Sequence, residues 1–338
     1  MDSVSQAALG AAIGVAVMGR RSAVWKAALW GATCGTLPDL DVIVEHGDAI
    51  RNMTLHRAES HSLFYLSVAS PLLAWVITRL HGDGAGFRRW WVATWLALVT
   101  HPLLDWLTVY GTQLGLPFTN FPFAVGSLFI IDPAFTLPLL IGLGAALVAA
   151  WRRAGSGRRW NLLGLGLATA YLAWSVLIQQ HVTGVAQASL KNQGVNSGAL
   201  LVTPSPFNTV LWRVLAMEGE DYIEGHYSLL DPDRNIQFRR YPRGQALIEQ
   251  HRDNWYVQRV AWFSRGFFRM QQDGGPVSLS DLRMGQEPSY TFTFTMPASA
   301  DGAPVLEAQR LDISTALSWL WRRIGGERIT YQSPKETT

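Results

Sequence analysis

Leu98-Val99-Thr100-His101-Pro102-Leu103-Leu104-Asp105-Trp106 closes an apolar run that begins at Trp90 and ends at Thr108. The run approaches the roughly 20 residues that a helix needs to cross a bilayer. His101 and Asp105 are four apart, so in a helix they share one face, one turn from each other. Ionisable side chains inside an apolar segment are costly and usually serve a function. A histidine with a carboxylate one turn away suits a divalent cation, or the orientation of an imidazole. The plainer alternative is a His–Asp contact facing a polar interior. On the first reading, the stretch is the end of a membrane helix that carries ligands.

Working outward, three more runs have comparable length: Ser62–Leu80, Phe129–Trp151 and Asn161–Gln180. Two shorter ones, Ala7–Met18 and Ala23–Leu37, read as tilted spans, a re-entrant pair or helices buried by the others. The first lacks the form of a signal peptide, because Asp2 opens it and Arg20-Arg21 follows the apolar stretch. Composition agrees with a membrane chain. Of 338 residues 49% are apolar, only 16% are charged, and there are 15 Trp, against about 25% charged in soluble chains. The average hides a split near residue 182, beyond which charges recur every few residues. The expected fold is thus an α-helical polytopic membrane bundle of about six apolar helices, the first two short, over 1–182. A small C-terminal α+β domain with an antiparallel sheet follows over 183–338.

The net charge of +3 and scattered basic residues give no stripe for nucleic acid. A single cysteine, Cys34, excludes an intramolecular disulfide and a cysteine-rich zinc knuckle. Lys and Arg collect in three short loops, with Arg20, Arg21 and Lys26, with Arg79, Arg88 and Arg89, and with Arg152, Arg153, Arg158 and Arg159. If every run crosses, these loops share the cytoplasmic side. The Pro38–His61 and Val109–Leu128 connections and everything after His181 then lie outside the cytoplasm, which makes this a multi-pass inner-membrane chain with an extracytoplasmic C-terminal domain.

Polar residues gather on that outer side. Gly35-Thr36-Leu37-Pro38-Asp39-Leu40-Asp41 puts two carboxylates directly after an apolar run and a helix-ending proline; a cap or turn explains one Asp more readily than two. Leu55-His56-Arg57-Ala58-Glu59-Ser60-His61-Ser62 leads into the third run with two imidazoles five apart, able to face one ion if a turn separates them. Asp39, Asp41, His56, His61, His101 and Asp105 therefore fall at one boundary, with Gln6 and Asp132 at the same level. Mixed imidazole and carboxylate ligands suit Zn²⁺ first, with Mn²⁺ and Fe²⁺ as alternatives, and argue against Ca²⁺ or Mg²⁺ alone. Six candidates serve one ion with an outer shell, or two ions.

At these residues the sequence resembles the YdjM-type family of bacterial inner-membrane proteins, described as membrane-bound metal-dependent hydrolases. The resemblance covers about residues 1–182. It rests on Asp2-Ser3-Val4-Ser5-Gln6-Ala7-Ala8-Leu9-Gly10, Leu37-Pro38-Asp39-Leu40-Asp41, His56-Arg57 with Ser60-His61-Ser62, His101-Pro102-Leu103-Leu104-Asp105 with Thr108-Val109-Tyr110-Gly111-Thr112-Gln113, and Gly126-Ser127-Leu128-Phe129-Ile130-Ile131-Asp132-Pro133. It implies a bound metal and a hydrolytic activity. The chain departs from the family pattern at Gln6, where many relatives have His, and at Ala58-Glu59, where relatives often have a small pair.

For a hydrolase, the six His and Asp residues are the ligand pool. A carboxylate outside the first shell, Glu59 or one of Asp39 and Asp41, is the candidate general base. Arg57 either neutralises an anionic group such as a phosphate or is a helix-entry residue at the lipid surface. A site at the bilayer boundary points to a membrane lipid or lipid-linked substrate. The competing readings are a metal-binding transporter or scramblase, for which ionisable residues near the midplane would be expected, and a membrane adaptor without enzymatic activity.

Beyond His181, Leu200-Leu201-Val202-Thr203-Pro204-Ser205-Pro206-Phe207-Asn208 reads as a turn-forming junction. Strand-type segments follow at Leu211–Met217, Tyr222–Leu230, Ile236–Arg240, Trp255–Phe263, Gly266–Gln272 and Tyr290–Met296. Leu317, Leu320, Trp321 and Ile324 recur at helical spacing, which predicts an amphipathic helix that either covers the sheet or lies on the membrane. His226 and His251 are isolated and read as structural or exposed.

Overall fold

The computed structural model describes residues 1–19, 21–155, 157–297, 302–308 and 312–331; Arg20, counted above in the first basic loop, lies outside the described residues. The chain divides into two compact units, Met1–Val44 with His56–Val176, and Glu45–Leu55 with Leu177–Thr338.

The first unit is helical. Helices α1 (Ser3–Met18) and α2 (Val24–Thr36) form a tight pair. Asp2 caps α1 by accepting from the Val4 and Ser5 amides, and a 3₁₀ turn over Leu37–Ile43 ends α2 at Pro38. In the second unit, α3 (Ala49–Leu55) is a short helix; the first unit resumes with a 3₁₀ turn at Glu59–His61, α4 (Leu63–His81), α5 (Phe87–Trp106) and α6 (Pro133–Trp151), and α7 spans Arg158–Asn192. Each apolar run of the sequence therefore lies in a helix. Three of these helices, α4, α6 and α7, are long and apolar enough to cross a membrane. α5 has the length, at 20 residues, but Arg88, Arg89 and Asp105 dilute it, and α1 and α2 are shorter, at 16 and 13 residues.

Small residues set the closeness of the helices. A Cβ on Gly10 would collide with the Gly31 carbonyl, one on Gly31 with that of Gly10, and one on Gly35 with that of Gln6. Gly10 and Gly14 on α1 thus meet Gly31 and Gly35 on α2, the small-xxx-small geometry that lets membrane helices approach to backbone contact. Gly142 and Gly164 do the same for α6 and α7. The buried faces meet in a cluster of Ala11, Val15, Ala27, Ala74, Ile77, Trp90 and Ala146. Outward-facing positions remain apolar, including Val68 and Leu72 on α4, Ile141 on α6 and Leu163 and Leu167 on α7, all at least half exposed, as a lipid-facing surface requires.

α7 runs beyond the expected end of its apolar stretch, because Val182, Val185 and Ala186, and then Leu190, recur at helical spacing and pack on the first sheet of the second unit. That sheet is an antiparallel meander of β1 (Ala199–Pro204), β2 (Leu211–Glu218), β3 (Asp221–Ser228) and β4 (Phe238–Pro242). Helices α8 (Gln245–Gln250) and α9 (Trp255–Phe263) follow, and then a second antiparallel sheet of β5 (Phe268–Gln271), β6 (Ser278–Gln286), β7 (Ser289–Thr295) and β8 (Val305–Leu306). The sequence pointed to one sheet; there are two of four strands. Trp255–Phe263, expected as a strand, is helical: Asn254 caps it by accepting from the Tyr256 and Val257 amides, and Val257, Val260 and Phe263 bury one face. Leu200–Pro204, expected as a junction, is strand β1 paired to β2. The terminal amphipathic stretch forms α10 (Ile313–Ile324), whose Trp319 and Leu320 cover Leu211 of the first sheet. A buried Arg213 joins the sheets, bonding to Glu224 and to the Leu282 carbonyl.

Candidate metal centre

Four residues from three separate segments of the first unit converge. Asp39 comes from the 3₁₀ turn that ends α2, His61 from the turn before α4, and His101 and Asp105 from successive turns of α5. His61 Nε2 lies 3.4 Å from Asp39 Oδ1 and 3.2 Å from Asp105 Oδ2. His101 Nε2 lies 3.3 Å from each of the same two oxygens, and the two Nε2 atoms are 3.1 Å apart. A regular tetrahedron with N or O ligands about 2.0–2.1 Å from its centre has edges of about 3.3–3.4 Å. The side chains of His61, His101 and Asp105 are fully buried, while that of Asp39 is 20% exposed and marks the open side. This group could hold a metal ion.

Hydrogen bonding turns the right nitrogen of each imidazole inward. His101 Nδ1–H donates to the Gly35 carbonyl at 2.6 Å, so Nε2 is the lone-pair nitrogen of the neutral ring. That carbonyl is within reach because the glycine contact seats α2 closely on α1. Ser60 Oγ donates to Asp41 Oδ2 at 2.7 Å and accepts from His61 Nδ1–H at 2.8 Å, which fixes the same tautomer for His61. Asp105 is held through its other oxygen: Oδ1 takes Gln6 Nε2 at 3.3 Å, Arg57 Nη2 at 3.3 Å and the amino group of Met1. Gln6 also donates to the His101 carbonyl at 3.1 Å. Asp105 Oδ2, by contrast, is buried and takes no hydrogen bond. A buried carboxylate oxygen without a hydrogen bond, aimed at two imidazole nitrogens that face each other, fits a cation as its partner.

Asp41 and His56 stand behind this group. Asp41 Oδ1 bonds His56 Nδ1 at 2.9 Å, and Oδ2 accepts from the Arg57 amide at 2.9 Å as well as from Ser60. Arg57 reaches that position with a left-handed backbone, φ 65°, which costs energy for a residue with a side chain. Its buried guanidinium lies over the Tyr110 ring at 4.8 Å. Burial pushes Asp41 up, but His56 and Ser60 bring it to about 2. Asp39, Asp41 and His56 form a second group whose ligand atoms lie within 4.8 Å of one another.

Of the other residues singled out in the sequence, Glu59 is exposed and joins neither group. Asp132 caps α6 through the Ala134 amide and accepts from the Tyr171 hydroxyl. The supporting parts that the sequence did not mark are Ser60, the Gly35 carbonyl and the amino group of Met1. A hydroxyl next to a ligand histidine is the one signal that pointed to any of them.

The sequence profile of the YdjM inner membrane protein family matches residues 1–182. The chain belongs to that family. The match spans every residue of both candidate metal groups, and YdjM membership together with the three candidate spanning helices places the chain in a membrane. An uncharacterized protein of Bacillus subtilis (strain 168), YfhP, is 28% identical over 165 residues, 46% of this chain and 48% of that one. The chain thus spans about half the length of the curated relative it matches. No solved structure matches it.

Proposed function

We propose that this YdjM-family chain is a membrane-embedded, metal-dependent hydrolase that acts on a lipid-like or membrane-associated ester or phosphoester at the outer face of the inner membrane. The observation that carries the reading is the convergence of His61, His101, Asp39 and Asp105, with spacings of 3.1–3.4 Å, at the ends of apolar helices. Asp39, His61, His101 and Asp105 would hold a divalent cation, with Zn²⁺ suited to their N/O donors, and such an ion would supply Lewis acidity towards the scissile group and a more acidic bound water.

The remaining chemistry belongs to the chain. Gly35 and Ser60 keep the two imidazoles in the ligating tautomer. Arg57 and Gln6 spread the charge of Asp105 and aim its free oxygen. Asp39, the partly exposed member, faces the direction of substrate approach. Orientation rests on the Lys- and Arg-rich loops: if every run crosses, these loops share the cytoplasmic side, the ligand-bearing ends face outward, and the second unit is extracytoplasmic.

The test is hydrolysis by detergent-purified full-length chain of a panel of phospholipids and lipid-linked phosphoesters, with and without a chelator. Metal-dependent release of product, abolished in His101→Ala, supports the proposal. A full metal complement with no turnover of any member, and ion flux in liposomes instead, would contradict it in favour of a transporter.

A further inference from the structure

The geometry points to a binding site for an anionic phospholipid, in an apolar groove at the end of the first unit remote from the metal centre. It rests on the membrane location and is independent of the hydrolase reading, because the lipid held there is a resident of the fold and not the substrate. Gln6, near the start of α1, and Gly35, near the end of α2, touch the metal centre. Gly19, just past α1, and Val24 and Trp25, which open α2, border the groove. The two sites therefore lie at opposite ends of one helix pair. Leu147, Ala150 and Trp151 of α6 complete the lining. The groove has a volume of about 800 Å³, within the range of about 300–1,000 Å³ for small-molecule sites. Trp25 is 58% exposed and Trp151 81%, as suits tryptophans at headgroup level.

The rim of the groove carries unanswered positive charge. Arg21 and Lys26 belong to its α1–α2 side, and Arg152, Arg153, Arg158 and Arg159 to its α6–α7 side. Arg158 Nε donates to the Ala16 carbonyl at 3.1 Å, and its Cδ lies beside Gly19, which draws the two basic turns together at the groove. Helices α1, α2, α6 and α7, with the turn inside each pair, contain no Asp or Glu. Among the described residues, none of these six cations takes part in an ion pair. Cations gathered beside an apolar groove at helix ends match an anionic headgroup above acyl chains. A zwitterionic headgroup brings its own cation and gains little there. Bulk lipid against an apolar surface needs no such pairing of groove and charge.

The experiment is native mass spectrometry of the detergent-purified full-length chain titrated with phosphatidylglycerol or with phosphatidylcholine. One phosphatidylglycerol should bind at least about tenfold more tightly, since each Lys or Arg beside an anionic headgroup is worth about fivefold. Arg21→Gln combined with Arg152→Gln should bring the two lipids to near-equal binding. Arg88→Gln combined with Arg89→Gln, at the start of α5 and outside the groove's lining, should leave the preference in place. Raising the salt to about 1 M should narrow the preference of the unaltered chain, a test that needs no variant to fold. Equal binding of the two lipids by the unaltered chain, or a preference indifferent to salt, would overturn the site. So would full preference in the Arg21/Arg152 variant, or an equal loss in both arginine pairs.

Discussion

His61 and His101 face each other with their Nε2 atoms 3.1 Å apart, while the Nδ1 of each is engaged, by Ser60 Oγ and the Gly35 carbonyl. Two imidazole lone pairs at that separation repel. Asp39 and Asp105 bring negative charge to the same point, and a cation at the common focus resolves both conflicts. The surroundings supply the matching hydrogen bonds on the far side of His61, His101 and Asp105, the second tier that orients ligands in metalloproteins.

Ser60 is the piece of that tier most easily removed. Ser60→Ala leaves His61 Nδ1 and Asp41 Oδ2 without their shared partner. Loss of such an outer-shell group costs about 10–100-fold in metal affinity. Competition titration with a chromogenic chelator should show a drop in that range, with the protein still in the membrane fraction. Unchanged affinity would mean that Ser60 does not orient the imidazole.

Gly31 carries no ligand, yet it governs one. A side chain there collides with the Gly10 carbonyl, so Gly31→Val must push α2 off α1 and carry the Gly35 carbonyl away from His101. Metal content should fall although all the His and Asp residues remain. Full metal occupancy in Gly31→Val would separate helix packing from the site.

Much of this arrangement was legible in the sequence, because its signals were local. His101 and Asp105 share a helix face by spacing alone, and a proline followed by two aspartates at the end of an apolar run has few structural uses. What spacing could not divide was the ligand pool. Asp41 and Asp39 are two residues apart in one turn, and only the fold shows that the first is satisfied by the Arg57 amide and Ser60 while the second points at the imidazoles. Asp132 sits at the same level and is a helix cap. In the second unit, Trp255–Phe263 is rich in aromatic and β-branched residues, which reads as a strand, and the Asn254 cap with its buried face decides for a helix. The length of α7 was hidden because its last turns leave an apolar membrane stretch for a half-buried surface position, where hydropathy drops but the helical period continues.

His226, in the second unit, gives a pH prediction. Burial, followed by the nearby Arg213 and Arg323, lowers it to about 3; its ring donates to Gln286 and stacks edgewise on Trp319. The unfolded chain therefore binds a proton between about pH 6.5 and 3 that the folded unit refuses. Stability is full above about pH 6.5 and is lost as pH falls towards 3, by up to about 1.4 kcal/mol per pH unit. Hydrogen exchange of peptides from β3 and α10, corrected for the intrinsic rate, should accelerate between pH 7 and 5. His226→Gln should flatten that response; equal acceleration in both proteins would sink the assignment.

Glu224 and Arg213 form a buried ion pair at 2.5 Å, and Arg213 also holds the Leu282 carbonyl of the second sheet. Glu224→Ala leaves a buried guanidinium uncompensated, which costs about 3–5 kcal/mol. Denaturant unfolding followed by exchange in β2 and β6 should report a loss of that size. A change under about 1 kcal/mol would show that solvent or Tyr290 takes over the charge.

Elemental analysis of the detergent-purified full-length chain, prepared without chelator, asks the central question directly. At least one equivalent of a transition metal per chain is expected, falling at least about 100-fold in affinity on His61→Ala, His101→Ala or Asp105→Ala, with each variant still in the membrane fraction. Metal-free protein, or all three variants retaining a full equivalent, would contradict the account.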